Sequence, residues 1–188
     1  GFTPETAMKE RGIDVKIHHE ATAIDPVGKK VSVINRENNR ELTLFYDKLV
    51  VATGGVPIVP PFGGVNLKNI FTIRNINDGL AIKKFIDDRA PQQAVIVGGG
   101  YIGMEMAESL HSRGLKVIVI EKMDRVLGTM DAGIAGIVEE KLSEMDVSLQ
   151  KKTSVESFTG NGKVEKVLTD KGNFPADFVI LAVGAQPN

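Results

Sequence analysis

The sequence contains no cysteine. Within these residues that excludes structural disulfides, thiolate metal sites and a redox dithiol. Long apolar runs are missing as well: none approaches the ~18 residues of a membrane span, and no secretory leader pattern opens the chain. Nor is there an excess of one charge. The 23 lysines and arginines face 24 acids, a net charge of −1, whereas a nucleic acid or an acidic membrane would want a basic face. No internal repeat and no low-complexity tract is found. We expect a cytoplasmic protein with no nucleic-acid partner, no membrane partner and no metal site. What is there is ordinary for a globular chain: 188 residues, 42% hydrophobic and 25% charged. That length buries one good core, or one and part of another. Residue 1 is Gly rather than Met, and the chain stops soon after an apolar run. We therefore expect an excised piece of a longer protein.

One stretch organises the rest, AVIVGGGYIGMEMAESLHSRGLKVIVIE at 94–121. The apolar run Ala94 to Val97 predicts a buried parallel strand. It enters the turn Gly98-Gly99-Gly100, which opens a helix through Gly103. Ile102, Met106 and Leu110 recur at a spacing of four, with Ala107 on the same side, and predict that helix's apolar stripe. Gly114 suits a left-handed cap, and Leu115 to Ile120 predicts a second strand ending on Glu121. Each part has a physical job if a dinucleotide lies across it. Gly98 permits the tight turn, Gly100 lets backbone approach a pyrophosphate, and Gly103 lets the helix pack on the strand. The free N–H groups of residues 100 to 103 and the helix dipole face the phosphates. Glu121, eighteen residues after Gly103, can accept from the adenosine ribose hydroxyls. A bare G-x-G-x-x-G also occurs in ordinary turns; strand, turn, helix, strand and acid in register is specific.

Glu121 also bears on which nucleotide binds. The 2′-phosphate of NADP would meet this carboxylate, and at ~4 Å and an effective dielectric of ~20 the repulsion is about 4 kcal/mol. Halved by solvent and counterions, it still favours NAD more than tenfold. Lys122 and Arg125 follow and would soften that preference.

Taken in order, Thr3-Pro4-Glu5 predicts the start of a short helix ended by Gly12. Ile13 to His18 with Glu20 to Ile24 predict one bent strand, and Lys30 to Ile34 and Arg40 to Tyr46 a hairpin across Glu37-Asn38-Asn39. Tyr46 to Ala52 reads as a buried strand running into Thr53-Gly54-Gly55. The proline-rich Val56 to Gly64 reads as an extended crossing linker. From Asn66 strands alternate with helices. Asn77-Asp78 is expected to cap a helix to about Arg89, with Leu80, Ile82, Phe85 and Ile86 apolar. Asp131 is expected to cap another, with Ile134, Val138, Leu142 and Met145 inward. Val147 to Leu149 would be a third parallel strand, Val155 to Thr169 a β-meander, and Phe178 to Val183 a buried returning strand. The fold class is α/β: a Rossmann-like domain with a central parallel sheet and a β-meander, preceded by a β-rich piece.

Three landmarks stand in order: YDKLVVATGG at 46–55, VIVGGGYIGMEMAESL at 95–110 and ADFVILAVGAQPN at 176–188. Together they resemble the pyridine nucleotide-disulfide oxidoreductases, flavoproteins that bind FAD and NAD. PETAMKERGIDV, RNINDG and AESLHSRG are similar to the coenzyme A-disulfide reductase, NADH oxidase and persulfide reductase branch. The resemblance implies that residues 1–65 are the middle of an FAD-binding domain and 66–188 the NAD-binding domain. The parent's redox cysteine would lie upstream, and its homodimer would form through a C-terminal domain. Gly98, Gly100, Ile102 and Gly103 would carry the NAD pyrophosphate and Glu121, with Lys122 beside it, the adenosine ribose. Tyr101 would be the lid over the flavin, with Glu105 and the backbone of Gly184 near the nicotinamide. Ala23 would meet the FAD adenine, and Ala52, Thr53 and Gly54 would line the flavin nucleotide in the parent. The parent would pass hydride from NADH to FAD, then electrons to a cysteine-based centre or oxygen. The isolated piece is expected to bind NAD at best and to catalyse nothing. The alternative is a non-enzymatic NAD-binding or sensing module.

Several residues have plainer readings. Tyr101 beside a glycine turn can be a half-exposed aromatic, and Glu105 stabilises a helix N-terminus anyway by ~0.3–1 kcal/mol. His18 and His19, adjacent on a strand, point to opposite faces and do not share a metal ion. His111 near a helix end is structural. Glu139, Glu140 and Glu144 are read as a solvated helix face, and the methionines at 104, 106, 123, 130 and 145 as core filler.

Overall fold

The computed structural model describes residues 8–188. The expected helix start at Thr3 lies outside the described residues. The chain divides into two compact units, one up to Ala52 and one of Thr53–Asn188.

The first unit carries an antiparallel sheet of β1 (His19–Asp25), β2 (Lys30–Asn35) and β3 (Arg40–Phe45), in that order. Val31 and Val33 are buried and alternate with exposed Ser32, the pattern of a strand with one wet face. Residues 13–18 are not strand, and His18 sits in a left-handed turn (φ 55°) before β1 begins. The expected bent strand is therefore confined to β1. Tyr46 to Ala52 is not a strand either; Val50 is 86% exposed. A parallel strand needs neighbours for its backbone groups, and among the described residues none pairs with this segment.

In the second unit, β4 (Gly55–Pro57) pairs antiparallel with β13 (Ala185–Pro187). Gly63 bridges to Ser157. The segment expected as a linker, and assigned with residue 65 to the first domain, thus belongs to the second unit by its hydrogen bonds. The centre is a five-stranded parallel sheet in the order β5 (Ile70–Thr72), β12 (Phe178–Leu181), β6 (Gln93–Val97), β7 (Lys116–Ile120), β8 (Ser148–Gln150). Three helices connect it: α1 (Ile76–Arg89), α2 (Tyr101–His111) and α3 (Ala132–Glu144). A meander of β9 (Val155–Thr159), β10 (Lys166–Thr169) and β11 (Gly172–Pro175) completes the unit.

The unbroken apolar runs follow from burial on both faces. Ala94 and Ile96 of β6, and Phe178 and Ile180 of β12, pack with Ile82, Ala107, Leu110 and Leu142 of the helices. Their alternates Val95, Val97, Val179 and Leu181 pack with Phe158, Val164 and Val167 of the meander. Helices cover one side of the sheet and β-strands the other.

The helices sit slightly rotated from expectation. In α2 the inward positions are Gly103, Ala107 and Leu110, whereas Ile102 is 41% exposed. In α1 Leu80 is exposed, and the N-cap is Asn75 rather than Asn77-Asp78. Asp78 instead closes a capping box, accepting from the N–H groups of Arg74 and Asn75. Asp131 caps α3 as expected, but Ala135 and not Ile134 faces inward. Among the described residues no helix is long and apolar enough to cross a membrane.

Candidate functional site

The carboxyl ends of β6, β7 and β12 open onto a cleft of about 740 Å³. This is where open α/β sheets bind ligands, because connections diverge there and backbone groups are left free. Gly98, at φ +109°, makes the turn out of β6; a Cβ there would lie 2.4 Å from the Ala182 carbonyl oxygen. Gly103 sets helix against turn, since its own Cβ would lie 2.0 Å from the Gly98 carbonyl oxygen. Gly100 is different: a Cβ there meets nothing within 4 Å, so the space over it is open. It is also the N-cap of α2, and no side chain caps that end. The first-turn N–H groups of α2 and its positive dipole end therefore face the cleft. Both other helices carry side-chain caps.

Across the cleft mouth, Glu121 follows β7 and is half-buried. Its Oε2 accepts from the Gly99 N–H (2.6 Å) and its Oε1 from the Met123 N–H (2.7 Å). The two backbone donors fix the carboxylate, and each oxygen keeps lone pairs for a ligand hydroxyl. Its orientation is thus set by the protein's own backbone.

Of the residues expected from the sequence, Gly98, Gly100, Tyr101, Ile102, Glu121, Lys122 and Gly184 line this one cleft. Gly103 lies beneath it, in the helix–turn contact. Glu105 is exposed and lines a second cavity of about 720 Å³, which shares Tyr101, Ile102 and Gly184 with the first. Tyr101, 56% exposed, stands between the two. Ala23, on exposed β1 at a register shift, lines neither cavity. Ala52, Thr53 and Gly54 are exposed and outside both; the Thr53 carbonyl accepts from the Asn188 side chain at 2.8 Å.

Other lining residues were not foreseen. Thr153, Ser154 and Val155 close the wall beyond β8, and Pro60 and Phe62 approach from the segment after β4. No local motif marks them; they arrive by strand order. Met123, expected in the core, is 59% exposed at the cleft edge. Glu139, expected on a solvated face, has a side chain only 20% exposed. It pairs with Lys151 at 2.5 Å and accepts from the Val126 N–H at 3.2 Å.

A cleft at the carboxyl ends of parallel strands, beside a glycine turn and an uncapped helix start, is the kind of place where proteins of the doubly wound α/β class hold a ligand. Comparison with known proteins agrees: the family model described as pyridine nucleotide-disulphide oxidoreductase matches residues 4–188. The chain belongs to that family, whose members are FAD-dependent and use pyridine nucleotides. It is 40% identical over its whole length to the NAD(P)H coenzyme A polysulfide/persulfide reductase of Pyrococcus horikoshii, covering 41% of that protein. Over 99% of its length it is 36% identical to an NADH oxidase of Methanocaldococcus jannaschii, covering 42% of it. The solved NAD-dependent persulfide reductase from A. fulgidus superposes with a TM-score of 0.81 at 34% identity, over 98% of this chain and 34% of that one. The chain thus spans well under half the length of the relatives it matches.

Proposed function

We propose that this chain is the NAD(H)-binding portion of an FAD-dependent NADH:disulfide, coenzyme A-disulfide or persulfide reductase, or of an NADH oxidase. One observation carries the reading: a single cleft joins an uncapped helix N-terminus, open space over Gly100 and a pre-oriented carboxylate at Glu121. Those groups fit a diphosphate at one point and a ribose diol at another. The names of the relatives support the same cofactor class.

When bound, NADH supplies the hydride; the chain supplies alignment. The N–H groups at the start of α2 neutralise the diphosphate, and Glu121 accepts from the ribose hydroxyls. Tyr101, with Gly184 and Glu105 nearby, borders the end where the nicotinamide would lie. In the parent, FAD would supply the hydride acceptor, the unit up to Ala52 would belong to the FAD-binding domain, and a further C-terminal domain would make a cytoplasmic homodimer. Ala23, Ala52, Thr53 and Gly54 contribute to the flavin side of that parent. By itself this piece binds nucleotide without turnover.

The test is a titration of NADH and NADPH into the purified chain, followed by nicotinamide fluorescence. Saturable NADH binding is expected, more than tenfold tighter than NADPH. In Glu121→Gln that ratio should fall about tenfold, because the repelling charge is gone. Binding of neither nucleotide at millimolar concentration would overturn the assignment, and a preference for NADPH would overturn the role of Glu121.

A further inference from the structure

We propose that Glu139, on α3 and outside the cleft, is a positioning residue for the nucleotide, acting through the Val126–Leu127 turn on the carbonyl of Gly99. The inference rests on the reading of the cleft as a dinucleotide site.

Gly99, the middle glycine of the turn, is clamped on both backbone polar groups by the segment after β7. Its N–H donates to Glu121 Oε2 at 2.6 Å, and its carbonyl accepts from the Leu127 N–H at 2.8 Å. Leu127 holds that bond from φ +49°, a left-handed conformation that residues with a Cβ rarely adopt. Such a turn persists only where its surroundings impose it. Here Val126 is fully buried in the helix-side core, and its N–H donates to Glu139 Oε1 at 3.2 Å. The other oxygen, Oε2, accepts from Lys151 Nζ at 2.5 Å. The residues after Lys151 return to the same segment: Lys152 N–H donates to the Met123 carbonyl at 2.9 Å and Thr153 N–H to that of Glu121 at 3.0 Å.

One carboxylate thus ties three pieces together: α3, the turn after β7 and the strand end after β8. Glu139 touches neither cleft, and its neighbour Glu140 is exposed. Without Glu139 the Val126 N–H loses its acceptor, and Leu127 is released from the left-handed region. The Gly99 carbonyl then loses its donor. The glycine turn must be ordered by the nucleotide itself, which weakens binding.

The experiment titrates NADH calorimetrically into the chain and into Glu139→Ala, Glu139→Gln and Glu140→Ala, well below each melting midpoint. Amide exchange at Gly99 and Leu127 is recorded without nucleotide. Glu139→Ala should weaken NADH binding about fivefold and speed exchange at Leu127 and Gly99. Glu139→Gln keeps an acceptor for Val126 and should stay within about twofold; Glu140→Ala should match the wild type. Wild-type affinity in Glu139→Ala overturns the proposal, as does a Gln variant that loses as much as Ala. If Glu139→Ala does not fold, the Gln variant's exchange at Leu127 decides: retained protection with near wild-type affinity supports the proposal, and faster exchange with lost affinity overturns it. A wild-type chain that binds no NADH is a separate result, which removes the cleft assignment and this inference with it.

Discussion

Gly100 and Gly103 are three residues apart and look alike in the sequence, yet they meet opposite surroundings. A methyl group at Gly103 would run into the Gly98 carbonyl oxygen at 2.0 Å, backbone that cannot yield without moving α2 off the sheet. Gly103→Ala should therefore destabilise the fold by about 1–3 kcal/mol, visible as a lower thermal midpoint. A methyl group at Gly100 meets no protein atom within 4 Å, and its backbone is ordinary extended chain (φ −80°, ψ −172°). Gly100→Ala should melt within about 0.5 kcal/mol of the wild type while losing most of its NADH affinity, because the methyl would occupy the space proposed for the diphosphate. Equal affinity in Gly100→Ala would show that the space over Gly100 is not where the phosphates lie. The glycine spacing already suggested close approach at Gly100 and helix packing at Gly103; what only the structure adds is the atom each Cβ would touch.

At the scale of elements, the β1–β2 hairpin carries its own turn chemistry. Asp25 Oδ1 accepts from the N–H groups of Gly28 (2.8 Å) and Val27 (3.1 Å), and Lys30 pairs with Oδ2 at 3.4 Å. The Gly28 bond, then Lys30, holds this carboxyl below the ordinary aspartate value of 3.8. A lowered folded value means the turn is supported above the unfolded value and loses that support as pH falls through the folded one. The Val27 and Gly28 amide shifts should hold steady from neutral pH to about 4 and move below it. In Asp25→Asn that step should vanish; an unchanged step would assign it to another group. The neighbouring β2–β3 hairpin was readable in the sequence because its turn and strands are contiguous. The segment Tyr46 to Ala52 was not, since its apolar run predicts a strand only if a neighbour lies alongside. Helix faces were readable to within one position: Ile102 and Ile134 gave way to Gly103 and Ala135 as the inward residues, because small residues let a helix approach the sheet more closely than a branched one does.

For the molecule as a whole, stability of the second unit converges on β12, the last strand in the chain to join the five-stranded sheet and one that sits between β5 and β6. Its Phe178 is fully buried, with ring centroids 5.4 Å from Phe85 and 6.2 Å from Phe71. Phe178→Ala removes that aromatic cluster and leaves a cavity, a loss of about 3–5 kcal/mol. The helical circular-dichroism transition should fall by roughly 10 °C, since α1, α2 and α3 all rest on this face. A shift of only a degree or two would mean that the cluster repacks.

The sequence by itself determined the local chemistry: a glycine turn between an apolar strand and a helix, an acid at the end of the next strand, and a family resemblance along its whole length. Those signals are contiguous, and periodicity and turn residues record them directly. Only the tertiary structure decided strand order, which inserts β12 beside β6 and brings Ala182, Thr153 and Phe62 to one cleft. It alone decided that Glu139 turns inward to hold the turn behind Glu121. Contacts between residues distant in the chain are settled by how buried faces pack, and no single segment carries that information.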